Sequence, residues 1–180
     1  MSVVTYEVKV DWDMADWSDT PDFSQAIDDI SGDVKSIRIS RGKDKELGNA
    51  PSGTLELILD NSSREYSPVN SNSPLYGKML PWRIIRVRAF HDGNTYNLYM
   101  GYISKYSISP HWTRKESYIY ATDGMDLIAR QLIAQDTANP VAMTDGDAVG
   151  KVLDAAGWSY SKRIIDTDGG DVKYPICSEY

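Results

Sequence analysis

The chain has 180 residues and a formal net charge of −7, with 26 acidic against 19 basic side chains. This acidic balance argues against nucleic-acid binding, which needs a basic footprint. One cysteine and two histidines exclude an intrachain disulfide and a Cys-based zinc site. No apolar run approaches the ~20 residues of a membrane span. The opening MSVVTYEVKV lacks the basic and apolar regions of a signal peptide, so we expect a soluble chain without a membrane anchor.

Six β-rich segments occupy the first two thirds of the chain. Apolar residues alternate with polar ones in the first, VTYEVKV, which is the period-two pattern of a half-buried strand. The pair Asp92-Gly93 separates two of the segments and predicts a hairpin with a type I′ turn, because glycine accepts positive φ. The predicted strands are Val4–Val10, Val34–Arg41, Thr54–Asp60, Arg83–Phe90, Thr95–Ile108 and Ser117–Thr122.

The pattern becomes helical at Asp123. DGMDLIARQLIAQ carries apolar residues at helical spacing, with Asp123 as the expected N-cap. A second helix is predicted in TDGDAVGKVLDAAGW, where Thr144 and Asp147 resemble a capping box and Gly157 fits a C-terminal cap. We therefore expect a mainly β fold, a barrel or sandwich, over residues 1–122. A small α-rich subdomain with one possible short strand would follow over residues 123–180, giving α+β overall.

The acidic segment after the first strand is a candidate calcium-binding loop. Asp11, Asp13, Asp16 and Asp19 supply the oxygen ligands that calcium prefers. The calcium-loop template is broken, however, because Ala15 occupies a ligand position and Asp16 replaces the required glycine. The favoured interpretation is a loop of Asx turns anchored by aromatic side chains, with a calcium site as the alternative and no other cofactor.

Catalytic motifs do not emerge from the sequence. It contains no GxSxG, GxGxxG or GxxxxGK[ST] motif, and neither His91 nor His111 follows a nucleophile or metal motif. The serine-rich stretch DNSSREYSP has no placed base and is predicted to be a turn. We therefore expect no enzymatic activity.

Aromatic and arginine side chains suggest protein surfaces instead. Simple alternation places Tyr96, Tyr102 and Tyr106 on one face of their strand and Tyr99 on the other. Twelve tyrosines exceed what one small core absorbs, and tyrosine is enriched at interfaces. The predicted subunit interface comprises Arg83, Arg86, Arg88, Tyr99 and Tyr102; a carbohydrate platform at Tyr106 and Trp112 is the alternative.

Most of the chain resembles the N-terminal region of phage tail proteins of the tail-tip or baseplate-hub type, often called minor tail proteins. The resemblance rests on PSGTLELILDN, on DNSSREYSP followed by SPLYG, on the arginine strand WRIIRVRA, and on the DGNTYNL hairpin with MGYI. The opening VDWD and the two helical segments also fit.

The resemblance implies a β-barrel or sandwich of the tail-tube and hub type that assembles as a trimeric or hexameric ring. It implies a structural component of the virion, made in the bacterial cytoplasm, with tail tube and tape measure as partners. A receptor- or carbohydrate-binding module on a phage tail is the alternative function. An acidic chain suits a channel through which DNA passes, because like charges repel.

Overall fold

The computed structural model describes residues 3–16, 19–42, 51–109, 113, 115–129, 143–158, 165 and 171–172. The chain divides into two compact units, Met1–Asp126 and Leu127–Tyr180. The first unit contains the sheet and the predicted site residues that the structure describes, and each unit is treated by itself below.

A single antiparallel sheet of six strands builds the first unit. Its strand order is β1-β4-β5-β6-β3-β2, and the sheet curls into a half-barrel with β1 and β2 at its two edges. The mainly β prediction is confirmed, and each strand boundary agrees with the predicted one to within one residue. The strands are β1 (Thr5–Val10), β2 (Val34–Ser40), β3 (Thr54–Asp60), β4 (Ile84–His91), β5 (Asn94–Ile108) and β6 (Glu116–Thr122).

The core lies on one face of this sheet because the strands alternate in burial. In β3, Leu55, Leu57 and Leu59 are buried while the residues between them are more exposed. Trp12 and Ile30, from the connection between β1 and β2, pack against the same cluster. Burying side chains of this size is worth about 1.5–3 kcal/mol each, so this face is the main source of stability.

The β4–β5 connection has the predicted turn. Asp92 and Gly93 have φ values of 51° and 77°, as both central residues of a type I′ turn require. This positive φ matches the right-handed twist of the two strands, so the hairpin prediction is confirmed.

The connection from β3 to β4 is a run of successive turns. Backbone N–H groups donate to the carbonyl three residues earlier at regular intervals, at 2.9–3.3 Å, linking Asn61, Arg64, Ser67, Asn70, Ser73 and Tyr76. Polar side chains support the run: Asn61 Oδ1 accepts the Tyr66 N–H at 3.0 Å, and Ser73 Oγ donates to the Glu65 carbonyl at 2.6 Å. The predicted turn at DNSSREYSP is confirmed, and Tyr66 and Leu75 from the same run are buried in the core.

Short elements make up the described remainder. α1 (Gly124–Ala129) follows β6; in the second unit β7 (Met143–Thr144) pairs with β8 (Asp171–Val172), and α2 spans Asp145–Ala155. Both predicted ends of α2 are confirmed: Thr144 Oγ1 accepts the Asp147 N–H at 3.2 Å, and Gly157 has a φ of 72°. The described residues thus hold two short α-helices, besides single 3-10 turns at Ala26–Asp28 and Ser31–Asp33, rather than the expected α-rich subdomain. Neither of these helices is long and apolar enough to cross a membrane.

Candidate functional surfaces

The acidic connection after β1 is organised by Asp11 and Asp13. Asp11 is buried, and its two carboxylate oxygens accept the backbone N–H groups of Asp13 at 3.2 Å and Asp22 at 2.8 Å. Asp13 binds the ammonium of Lys78 at 2.8 Å and the amide of Gln25 at 2.9 Å. The hydrogen bond from Lys78 lowers the pKa of Asp13 below its ordinary value. These contacts fold the loop, as the Asx-turn interpretation predicts.

The calcium alternative gains no support from this geometry. Asp16 and Asp19 bond to each other locally: the Asp16 N–H donates to Asp19 Oδ2 at 2.9 Å, and the Asp19 N–H donates to the Asp16 carbonyl at 3.0 Å. Across the part of the chain that the structure describes, no three acidic, histidine or cysteine side chains converge as a metal site would require.

A second buried carboxylate, Asp28, lies in the same connection. Its Oδ2 accepts the Gln25 N–H at 3.0 Å, while the neighbouring Trp12 indole N–H donates to the Ile27 carbonyl at 3.1 Å. Burial raises the pKa of Asp28 above its ordinary value, because desolvation disfavours the charged form. The carboxylate serves as an internal anchor for the loop rather than as a surface group.

The predicted arginine surface is largely engaged within the chain. Arg86 Nη2 lies 3.1 Å from Glu7 Oε1, and its guanidinium stacks 4.3 Å from the centroid of the Phe23 ring. The Nε of Arg83 donates to the Lys78 carbonyl at 3.2 Å, and that of Arg88 donates to Asn97 Oδ1 at 3.0 Å. All three side chains therefore stabilise this fold, and any subunit contact they make must share these partners.

The predicted faces of the β5 tyrosines are right for Tyr96 and Tyr106, which share the core face, and wrong for Tyr99 and Tyr102. Tyr96 lies opposite Ala89 and Tyr99 opposite Val87, so both point to the core face, whereas Tyr102 lies opposite Ile84 on the other face. The physical reason is two β-bulges in β5, at Leu98 and Ser104, each of which inserts one residue and reverses the alternation.

Burial does not simply follow from these faces. Tyr99 is 5% exposed in the core, and Tyr102 is 3% exposed on the other face of the sheet, so both present almost no surface to a neighbour. Burial raises the pKa of both hydroxyls. The exposed tyrosine of this strand is Tyr96, which the prediction did not include in the interface.

The carbohydrate alternative named Tyr106 and Trp112. Tyr106 is partly buried; its ring stacks with Trp12 at 6.4 Å between centroids, and its hydroxyl donates to the Leu80 carbonyl at 3.2 Å. Both ring and hydroxyl are thus used within the fold. Trp112 and His111 lie outside the described residues.

An exposed apolar group that the sequence reasoning missed lies in the β3–β4 connection. We call Tyr76, Leu80 and Trp82 the loop patch; each is roughly half-exposed. The backbone beneath is fixed, since the Trp82 N–H donates to the Ile103 carbonyl at 2.7 Å and Leu80 is bonded to Tyr106. Trp82 also has a φ of 70°, which is costly for a bulky residue. Its sequence signal was the run of large apolar residues in PLYGKMLPW, which follows neither a helical nor a strand period.

A second exposed apolar group lies where β1 begins. We call Val4, Tyr6 and Tyr96 the strand-end patch; their exposed fractions are 43%, 55% and 47%. Tyr6 and Tyr96 both lie beside Ala89 in the row that crosses β1, β4 and β5. Their side chains lie on the same face of the sheet as the core, next to the last buried core residues.

No protein-family model matches the chain, and no curated protein sequence is significantly similar to it.

Proposed function

We propose that this chain is a structural component of a phage virion, an oligomeric module of the tail tip or baseplate hub. The sequence resemblance described above suggests this assignment, and the half-barrel sheet is compatible with the tail-tube and hub type of barrel. In this proposal the copies form a trimeric or hexameric ring that contacts tail tube and tape measure proteins. The chain acts through protein surfaces and performs no catalysis.

The observation that carries the proposal is the loop patch, in which three large apolar side chains within seven residues of the chain are each roughly half-exposed. Large apolar side chains that are scattered singly over a surface need no explanation, but grouped ones mark interaction sites. The loop patch is presented by a backbone held in place by hydrogen bonds, and Trp82 within it has a positive φ that carries a conformational cost. A rigid aromatic surface loses little conformational entropy on binding, which suits a permanent assembly.

Self-association is the first test. Light scattering after size exclusion should show a molar mass that rises with concentration towards three or six copies. The double variant Leu80→Ser and Trp82→Ser should shift this association to higher concentration, whereas the control Val69→Ser removes one exposed side chain outside the patch and should leave it unchanged. A wild-type chain that stays monomeric at high concentration contradicts ring formation.

Location is the second test. Purified virions labelled with a gold-conjugated antibody against this chain should carry gold at the distal end of the tail. Label confined to the capsid, or absent from intact and partly disrupted particles alike, would overturn the proposal.

The alternative, a receptor- or carbohydrate-binding module, is favoured by the exposure of Tyr76 and Trp82, whose rings suit stacking on sugar faces. A glycan array with the wild-type chain and the variant Trp82→Ser distinguishes the two functions. Binding by a strict monomer that is lost in the variant supports the alternative, while association into three or six copies without glycan binding supports the structural module.

A further inference from the structure

The free edge of β1 is divided into a covered part and an open part. Around Val8 it is covered: the Val8 N–H donates to Ser31 Oγ at 2.9 Å, and the Val8 carbonyl accepts the Ile30 N–H at 3.0 Å. These bonds show that the backbone groups of even-numbered residues point away from β4, because successive residues of a strand bond to opposite sides. The N–H and carbonyl groups of Tyr6 therefore point to the same edge, and continuing the alternation by two residues places those of Val4, which directly precedes β1, at that edge too.

The part of this edge at Val4 and Tyr6 is open. Among the residues that the structure describes, none bonds to the edge-facing backbone groups of either residue. The side chains from Val3 to Tyr6 are all exposed. An exposed edge with apolar side chains is a template for another strand, and proteins usually protect such edges with charge or with a covering segment.

The opposite edge of the sheet is protected in this way. β2 carries Lys35 and Arg38 among its seven residues. Lys35 lies 3.3 Å from Asp60 and 3.8 Å from Glu116, so Arg38 is the cation that pairing with a second β2 would bring towards its copy. The segment from Val3 to Tyr6, in contrast, has no charged side chain. Glu7, which follows it, is bound to Arg86. In a chain of net charge −7, the segment from Val3 to Tyr6 therefore lets two copies approach with little electrostatic repulsion.

We propose that the open part of β1 pairs antiparallel with the same segment of a second copy, about a two-fold axis at Thr5. In this register Val4 of one copy faces Tyr6 of the other. Both are residues whose backbone groups point to the edge, so each such pair exchanges two hydrogen bonds. Thr5 faces Thr5 of the second copy, a favourable cross-strand pair. The Val4 and Tyr6 side chains cover one another on the core face, which accounts for the exposure of the strand-end patch.

The contact is short and closes at two copies. The covering segment at Ile30 and Ser31 limits it to about two hydrogen-bonded pairs, so the dimer is expected to be weak and to exchange readily. An isologous contact cannot by itself form a ring of three or six copies. The inference therefore stands independently of the proposed function and adds a second kind of contact to it.

Disulfide trapping tests the register. Residues directly opposite in a non-hydrogen-bonded antiparallel pair have Cα atoms about 4.5 Å apart, within the roughly 4.4–6.8 Å that a disulfide spans. In a Cys177→Ser background, Thr5→Cys should form a covalent dimer under mild oxidation. Thr95→Cys is the matched control: Thr95 is also exposed and on the same face, in register with Thr5 through Phe90, but two strands inside the edge. Equal trapping at both positions, or none at Thr5→Cys, would overturn the inference.

A proline variant tests the edge itself. Val4→Pro removes an edge-facing N–H but no bond to β4, and proline is tolerated at the start of an edge strand. Val4→Ala keeps the N–H and is its control. In the Thr5→Cys background, Val4→Pro should reduce covalent dimer at least tenfold while the melting temperature stays near that of Val4→Ala. Unchanged formation of the covalent dimer in a folded Val4→Pro variant would exclude the strand pairing. That result would leave the proposed location in the virion untouched, because antibody labelling of virions tests it separately.

Discussion

Gly101 lies against the side chain of Tyr99, two residues earlier on the same face of β5. A Cβ atom at position 101 would come within 2.5 Å of the Tyr99 hydroxyl and within 2.5 Å of the Thr122 carbonyl oxygen. The tyrosine thus fills space that only a glycine leaves open, and the glycine in turn loses its exposure to water. The pair replaces the weak packing of a glycine within a strand by an aromatic contact.

Gly101→Ala is expected to lower the free energy of unfolding by about 1–3 kcal/mol, because the added methyl group meets backbone that cannot retreat. Gly32→Ala is the matched control, since nothing lies within 4 Å of a Cβ at that position. Denaturation in urea measures both. Equal stability of the two variants would contradict this close packing of Gly101 against Tyr99 and the Thr122 carbonyl.

The Tyr66 hydroxyl donates to Asp33 Oδ2 at 2.5 Å and ties the β3–β4 connection to the start of β2. Hydrogen bonds to charged groups contribute about 1.5–3 kcal/mol, so Tyr66→Phe should reduce stability by about 1.5 kcal/mol. Tyr76→Phe alters an exposed hydroxyl and should be nearly neutral. A double-mutant cycle with Asp33→Ala measures the pair, and a coupling energy near zero would contradict the assignment.

The pKa of Asp28 is raised by burial. The carboxyl group of Asp28 therefore binds its proton more tightly in the folded chain than in the unfolded chain. Stability contributed by this group therefore falls as pH rises from below the ordinary pKa of aspartate through the raised one. We expect Asp28→Asn to gain stability relative to wild type between pH 3 and pH 7 (a range set by the ordinary value of ~3.9).

Asp60 supplies the opposite control for that experiment. Hydrogen bonds from Ser62 and Lys35 lower its pKa, so its stabilising effect is present at neutral pH and is lost as pH falls through the lowered value. Asp60→Asn should therefore lose stability relative to wild type as pH rises. The same sign of slope for both variants, in urea denaturation across this range, would contradict the environments described.

Glu7 neutralises Arg86, whose Nε is buried without a hydrogen-bond partner among the described residues. Glu7→Gln should cost about 1.5 kcal/mol, because a poorly solvated cation loses its charged acceptor. Lys35→Met breaks the more exposed pairs with Asp60 and Glu116 and should cost at most about 0.5 kcal/mol. Thermal denaturation compares the two, and an equal loss would mean that burial adds nothing to the Glu7–Arg86 pair.

The sequence was sufficient for the strands and for the turn at Asp92-Gly93, because period-two alternation and positive φ are local properties. It was insufficient for the faces of the β5 tyrosines. The position of a β-bulge, at Leu98 or at Ser104, depends on the register with the neighbouring strand, and no residue of β5 by itself predicts it. The stacking of Tyr106 on Trp12 joins residues nearly a hundred positions apart. The loop patch was missed because an irregular apolar run gives no period to detect.

The turns that link Asn61 to Tyr76 recur every third residue. The connection between the end of β3 and the buried Leu75 is therefore built from repeated three-residue turns, and its length is set by their number. Inserting or deleting three residues would add or remove one turn and keep the phase of those that follow. A change of one or two residues would rotate Leu75 away from the core. We therefore expect length changes in this segment to be tolerated best in multiples of three.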